Sequence, residues 1–116
     1  MLDDDPSVLK GLSRLFSAAD LRAETFSGPK EFLDYVQTHR PSVALVDVYM
    51  PQMSGLEVQS RLRTISPSTR VIVFTANDDP LVRSTALNAG ASAFLAKPID
   101  DEELLAAVRL AFASAK

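Results

Sequence analysis

The chain contains no cysteine. Disulfide bonds and thiolate metal sites are therefore excluded, and a reducing compartment is compatible. His39 is its sole histidine, which rules out a site built from several imidazoles; beside Arg40 at a predicted helix end, it reads as an exposed structural residue. Basic residues are not in excess: the net charge is -3 and the pI near 5.0. A nucleic-acid surface normally shows as a basic stripe, so no direct nucleic-acid contact is expected. No apolar stretch approaches the roughly 20 residues that span a bilayer, and no charged leader precedes an apolar segment, so a cytoplasmic domain without membrane contact is expected. No glycine-rich loop follows a predicted strand, which argues against a nucleotide or flavin binder.

What is present suits one compact core. The 116 residues are 47% apolar with no long polar tract, which predicts a single domain over 1–116 without a linker or internal repeat. The apolar pattern changes period repeatedly, from helical spacing to short unbroken runs and back. Asp5-Pro6 supplies an N-cap and a first-turn proline, and Val8, Leu9, Leu12, Leu15 and Phe16 share one face of a helix predicted over Pro6 to Ala19. Leu21 to Phe26 alternates weakly and is predicted as a short strand. After Ser27-Gly28-Pro29, Phe32, Leu33 and Val36 mark a helix ending near His39.

Ser42 to Val48 is a continuous apolar strand of the kind buried on both faces of a parallel sheet. A loop from Tyr49 to Ser54 leads to a helix carrying Leu56, Val58, Leu62 and Ile65. Val71 to Thr75 is another buried strand, Asp79-Pro80 opens a helix that Gly90 ends, and Ser92 to Ala96 is the last strand. Asp100-Asp101 then opens a helix with Leu104, Leu105, Val108, Ala111 and Phe112 at helical spacing, too short-lived a stripe for a coiled coil. Strand and helix in alternation predict an α/β fold, with parallel strands, right-handed crossovers and helices on both faces.

Three strand ends carry chemistry-bearing residues. Asp47 closes the run Val43-Ala44-Leu45-Val46, Thr75 ends a second run and Lys97-Pro98 a third, while Asp3-Asp4-Asp5 lies upstream. Each alone has a plain structural reading: an aspartate that starts a turn, a β-branched strand residue, a solvated cation. Together they sit where α/β sheets place their sites. Carboxylates brought close raise one another's pKa unless a cation intervenes, and an oxygen-only set suits Mg²⁺. An aspartate can itself accept a phosphoryl group, a reaction that asks mainly for positioning and charge neutralisation. Asp4 through the metal, Lys97 through its ammonium and Thr75 through its hydroxyl could supply these.

In these residues the chain resembles a response-regulator receiver domain of two-component signalling, nearly from end to end. The resemblance rests on Asp3-Asp4-Asp5-Pro6-Ser7-Val8, Val46-Asp47 with Met50-Pro51 and Ser54-Gly55, Phe74-Thr75-Ala76, Gly90-Ala91, and Phe94-Leu95-Ala96-Lys97-Pro98. Asp3-Asp4-Asp5-Pro6-Ser7 and Met50-Pro51-Gln52-Met53-Ser54-Gly55 are similar to the subfamily with helix-turn-helix output domains. The resemblance implies a flavodoxin-like doubly wound sheet of order 2-1-3-4-5. It also implies a phosphorelay function: Mg²⁺-dependent phosphorylation of Asp47 by a histidine kinase. Asp4 would bind Mg²⁺ directly, Asp3 would assist, and the backbone carbonyl of Tyr49 would complete the protein ligands with Asp47. Thr75 and Lys97 would hold the phosphoryl oxygens, and Phe94 would be the aromatic that changes rotamer. Ala76 would leave the acceptor accessible, and Tyr49 and Asn77 would tune phosphoryl lifetime. Lys97-Pro98 would be a cis peptide. The family is not an enzyme class in the usual sense. A homodimer or partner surface is expected from about Pro80 to Lys116.

Two features favour other readings. Only Met1-Leu2 precede Asp3, against the five or so apolar residues of an ordinary strand. If the central first strand were missing, its neighbours would stand about two spacings, roughly 9.6 Å, apart. A surviving short strand, a rearranged sheet, a strand borrowed from another chain and a chain that is a fragment of a longer gene product are the alternatives, with a less stable domain and a possible swapped or intertwined dimer expected. A receiver-like interaction module that is not phosphorylated is the corresponding functional alternative. A phosphatase of the haloacid-dehalogenase type also uses an aspartate nucleophile, but that chemistry wants an acid two residues on, where this chain has Tyr49.

Overall fold

In the computed structural model, residues 1–76 and 79–114 are described. The elements run α1 (Pro6–Ala18), α2 (Pro29–His39), β1 (Val43–Asp47), α3 (Gly55–Ile65), β2 (Arg70–Thr75), α4 (Pro80–Asn88), β3 (Ala93–Ala96) and α5 (Asp101–Ser114). β1 pairs in parallel with β2, and β2 with β3. Side chains alternate across this sheet. Ala44, Val46, Val71 and Val73 enter one core with Phe32, Val36, Val58, Leu62 and Ala86 from α2, α3 and α4. Leu45, Ile72 and Phe74 enter the other with Leu9, Leu12 and Phe16 of α1 and Leu104 and Val108 of α5. Burial on both faces is why β1 and β2 read as unbroken apolar runs.

Local chemistry fixes the helix starts. Asp5 caps α1 by accepting a hydrogen bond from the Ser7 amide at 2.9 Å, and Asp79 caps α4 by accepting from Leu81 at 2.9 Å, each followed by a first-turn proline. Beyond α4, Gly90 takes φ +100°, a left-handed conformation that suits glycine.

The short N-terminus stays in the sheet. Leu2 bridges in parallel to both Val46 and Phe26, so the order across the molecule is Phe26, Leu2, β1, β2, β3. The Leu2 amide donates to Leu45 O at 2.8 Å and Leu2 O accepts from the Asp47 amide at 3.0 Å; on the other side Phe26 donates to Met1 O and Asp3 donates to Phe26 O. These bonds satisfy the backbone groups that a missing strand would orphan. The structure shows a strand reduced to a bridge, with Leu2 paired on both sides by the chain's own residues. Leu2 is fully buried.

The predicted strand from Leu21 to Phe26 is corrected. Only Phe26 forms a bridge, and residues 22–25 are exposed. A strand exists by pairing, and its partner here is only as long as Met1–Asp3. Phe26 is held from the other side by aromatic contacts, with ring centroids 5.7 Å from Phe32 and 5.0 Å from Tyr35.

Candidate functional site

Asp47 stands at the carboxyl end of β1 with its neighbours folded tightly around it. The Val48 amide donates to Phe74 O at 3.0 Å, and the Gly55 amide donates to Val48 O at 2.7 Å. This bond draws the start of α3 onto the strand end, and Ser54 caps the helix by accepting from the Glu57 amide at 3.2 Å. The approach requires glycine: a Cβ at Gly55 would overlap the Asp47 carbonyl oxygen and lie 2.8 Å from both its carbon and Val48 Cα.

Leu2 delivers Asp3 beside Asp47. One Asp3 oxygen, Oδ1, accepts from the Asp5 amide at 2.9 Å; the other, Oδ2, accepts from Lys97 Nζ at 2.8 Å. The same ammonium lies 3.5 Å from Asp47 Oδ1 and 4.9 Å from the Phe74 ring centroid. Lys97 leaves β3 with its amide donating to Thr75 O at 2.7 Å, and the Lys97–Pro98 peptide is cis. Asp3 and Asp47 are buried and Asp4 is exposed; each offers a carboxylate oxygen within 4.8 Å of the others.

One cation does not balance these carboxylates. Burial pushes the Asp47 pKa up to about 6, the neighbouring Asp3 and Asp4 charges push the same way, and Lys97 pulls against them. The all-oxygen donors and the uncompensated negative charge fit a hard divalent cation such as Mg²⁺.

The remaining predicted residues fall around this cluster. Thr75 is fully buried at the end of β2, and Ala76 is exposed. The Tyr49 side chain is exposed. Phe94 is buried on β3 with the Arg83 guanidinium 4.9 Å above its ring. Asn77 lies outside the described residues. Sequence reasoning had no role for Arg83, for the Phe74 ring under Lys97 or for the Asp5 amide on Asp3. Only the last has a local signal, since an Asp two residues before an amide commonly accepts from it.

Comparison with known proteins bears on the family and the fold. The sequence matches the family described as the response regulator receiver domain over residues 1–109. It is 39% identical over 111 residues to the response regulator protein TodT of Pseudomonas putida, covering 96% of this chain and 49% of that protein. The chain thus spans about half the length of the curated relatives it matches. Its fold superposes on a CheY-like response regulator receiver domain protein from Methanospirillum hungatei with a TM-score of 0.92 at 24% identity, covering 98% of this chain and 91% of that one. A BeF3-activated DrrB receiver domain is 30% identical with a TM-score of 0.86, covering 97% and 93%. Among the described residues no helix is long and apolar enough to cross a membrane.

Proposed function

The chain belongs to the response regulator receiver domain family, and from that premise we propose that it is a phosphorelay switch whose acceptor is Asp47. The observation that carries this reading is the meeting of Asp47, Asp3, Asp4 and Lys97 at adjoining strand ends. An Asp47 carboxylate oxygen bonds to the phosphorus of a phosphohistidine on a kinase while the phosphorus–nitrogen bond breaks, its electron pair staying on the imidazole, which takes up a proton. Asp3, Asp4, Asp47 and the Tyr49 carbonyl would hold Mg²⁺, which when bound offsets charge on the transferred group. Lys97, already 3.5 Å from Asp47, pairs with a phosphoryl oxygen, and Thr75 donates its hydroxyl to another. Ala76 leaves the acceptor open.

Movement of Thr75 towards the phosphoryl group makes room for Phe94 to turn, and the equilibrium between two arrangements of α4, β3 and α5 shifts. This surface exposes Leu81, Leu87 and Leu110 and is our candidate for dimer or partner docking. The cytoplasm, where such kinases present phosphohistidine, is the proposed setting.

Incubation with acetyl phosphate and Mg²⁺, read by intact mass, tests the reading. The expected result is the gain of one phosphoryl group, abolished in Asp47→Asn and by chelation of the metal. Repeated absence of any gain in the wild type would sink the reading and favour an interaction module that works unphosphorylated.

A further inference from the structure

Arg83 has no part in the phosphoryl transfer described above, yet its guanidinium carbon stands 4.9 Å from the centroid of the Phe94 ring. Phe94 faces α4 because side chains alternate along β3. It pairs in register with Val73 and enters the same core as Val73 and Ala86, whereas Leu95 enters the other. Arg83 precedes Ala86 by three residues, so both lie on one face of α4. Ala86 is fully buried in that core and Arg83 is half-buried, which puts the guanidinium over the ring at the margin of the core. A cation over a ring face is attracted to the negative side of its quadrupole, and that attraction is lost when the ring turns away.

We propose that Arg83 is a latch on Phe94: it holds the ring where it lies here and so opposes the switched arrangement of α4, β3 and α5. The proposal rests on the reading of Asp47 as a phosphoryl acceptor and adds the residue that sets how far the equilibrium leans towards rest. Lys97 bonds Asp3 at 2.8 Å and stands farther, 3.5 Å, from Asp47, as befits the arrangement before transfer. Turning of Phe94 carries the ring out from under the guanidinium, so the contact belongs to that arrangement and biases the equilibrium by its full worth. A contact of this kind changes an equilibrium constant roughly two- to fivefold. A protein whose binding-competent state is scarce binds its ligand more weakly in proportion. The latch therefore weakens the hold on a phosphoryl mimic at Asp47, although Arg83 is not among the residues that gather there.

Beryllofluoride with Mg²⁺, which mimics a phosphoryl group on an aspartate, is the probe, titrated into the full chain and followed by amide NMR. Arg83→Met keeps the length of the side chain without its charge and should bind the probe roughly two- to fivefold more tightly than the wild type. Arg83→Lys, which keeps a cation, should fall between. A second series replaces Phe94 with phenylalanines carrying one, two or three ring fluorines, which weaken the negative ring face step by step at nearly constant shape. Affinity should climb with each fluorine beside Arg83 and stay flat in Arg83→Met, a coupling that a merely structural arginine would not produce. Equal or weaker binding by Arg83→Met, or a fluorine slope that persists without the guanidinium, would overturn the latch while leaving Asp47 an acceptor. Binding by none of these chains, with no phosphoryl gain by intact mass, would sink the reading of Asp47 and the latch with it.

Discussion

The two ends of the sheet differ in how their polar groups are satisfied. At the carboxyl end, Asp3, Asp4, Asp47 and Lys97 gather with an excess of negative charge that burial makes costly. At the amino end the Met1 nitrogen donates to Glu24 O at 2.8 Å beside a cavity lined largely by apolar side chains such as Phe16, Phe32 and Val108. Both ends depend on one short segment. Met1 ties down the amino end, Asp3 enters the carboxyl end, and Leu2 between them is fully buried. A site at a strand end is only as well placed as the strand behind it, and here that strand is a single bridged residue.

The largest way to break the contrast is Leu2→Ala. Removing a fully buried leucine costs about 2–5 kcal/mol, against a total of roughly 5–15 for a typical domain. Urea denaturation should show that loss. Asp3 loses its anchor with Leu2, so phosphoryl uptake should fall too, even where the fold persists. Asp47→Asn should abolish uptake without comparable loss of stability. A Leu2→Ala protein that keeps both its midpoint and its uptake would show that the site does not rely on the central bridge.

Gly55→Ala sharpens the carboxyl end alone. The added methyl meets the Asp47 carbonyl, which is backbone and cannot swing aside. The start of α3 has to shift, at about 1–3 kcal/mol by analogy with overpacked sites, and uptake by Asp47 should slow while the amides of Leu45 and Glu24 keep their exchange rates. Gly11, where an added methyl would meet nothing within 4 Å, is the control: Gly11→Ala should leave uptake unchanged.

The sequence made the two buried strands and the helix caps readable because each is encoded locally. β1 and β2 announce themselves as unbroken apolar runs, and Asp5-Pro6 and Asp79-Pro80 carry their caps within two residues. The 21–26 segment misled because alternation is local whereas strand formation depends on a partner. The carboxylates and Lys97 were legible as candidates from their strand ends. Their pairing was not: Lys97 reaches Asp3 across 94 residues of sequence, and no pattern states which of two carboxylates an ammonium will approach more closely. Arg83 over Phe94 was hidden for the same reason, since it follows from how α4 packs on β3. The raised pKa of Asp47 comes from burial and neighbours together, which only the assembled site supplies.

The smallest predicted effect compares the two ends through pH. Asp47 has its pKa raised to about 6, chiefly by burial. The folded protein therefore holds that proton more tightly than the unfolded chain, and the associated stability is present at low pH and lost as pH rises from about 4 through 6. The Met1 ammonium has its pKa lowered to about 6, again chiefly by burial, with Glu24 opposing. Its contribution has the opposite sign: it is present above about 8 and lost as pH falls through 6. Together these groups make a trough near pH 6 in metal-free protein. Thermal melts should show the advantage of Asp47→Asn over the wild type growing from pH 4 to 6 and then levelling. N-terminal acetylation should act on the upper limb only, removing the loss between pH 8 and 6. Mg²⁺ should stabilise the wild type more above pH 6 than below it, since only the ionised carboxylate binds, and Asp47→Asn should lose that dependence. If Asp47→Asn and the wild type run parallel across this range, the carboxyl end carries no uncompensated charge and the contrast between the two ends fails there.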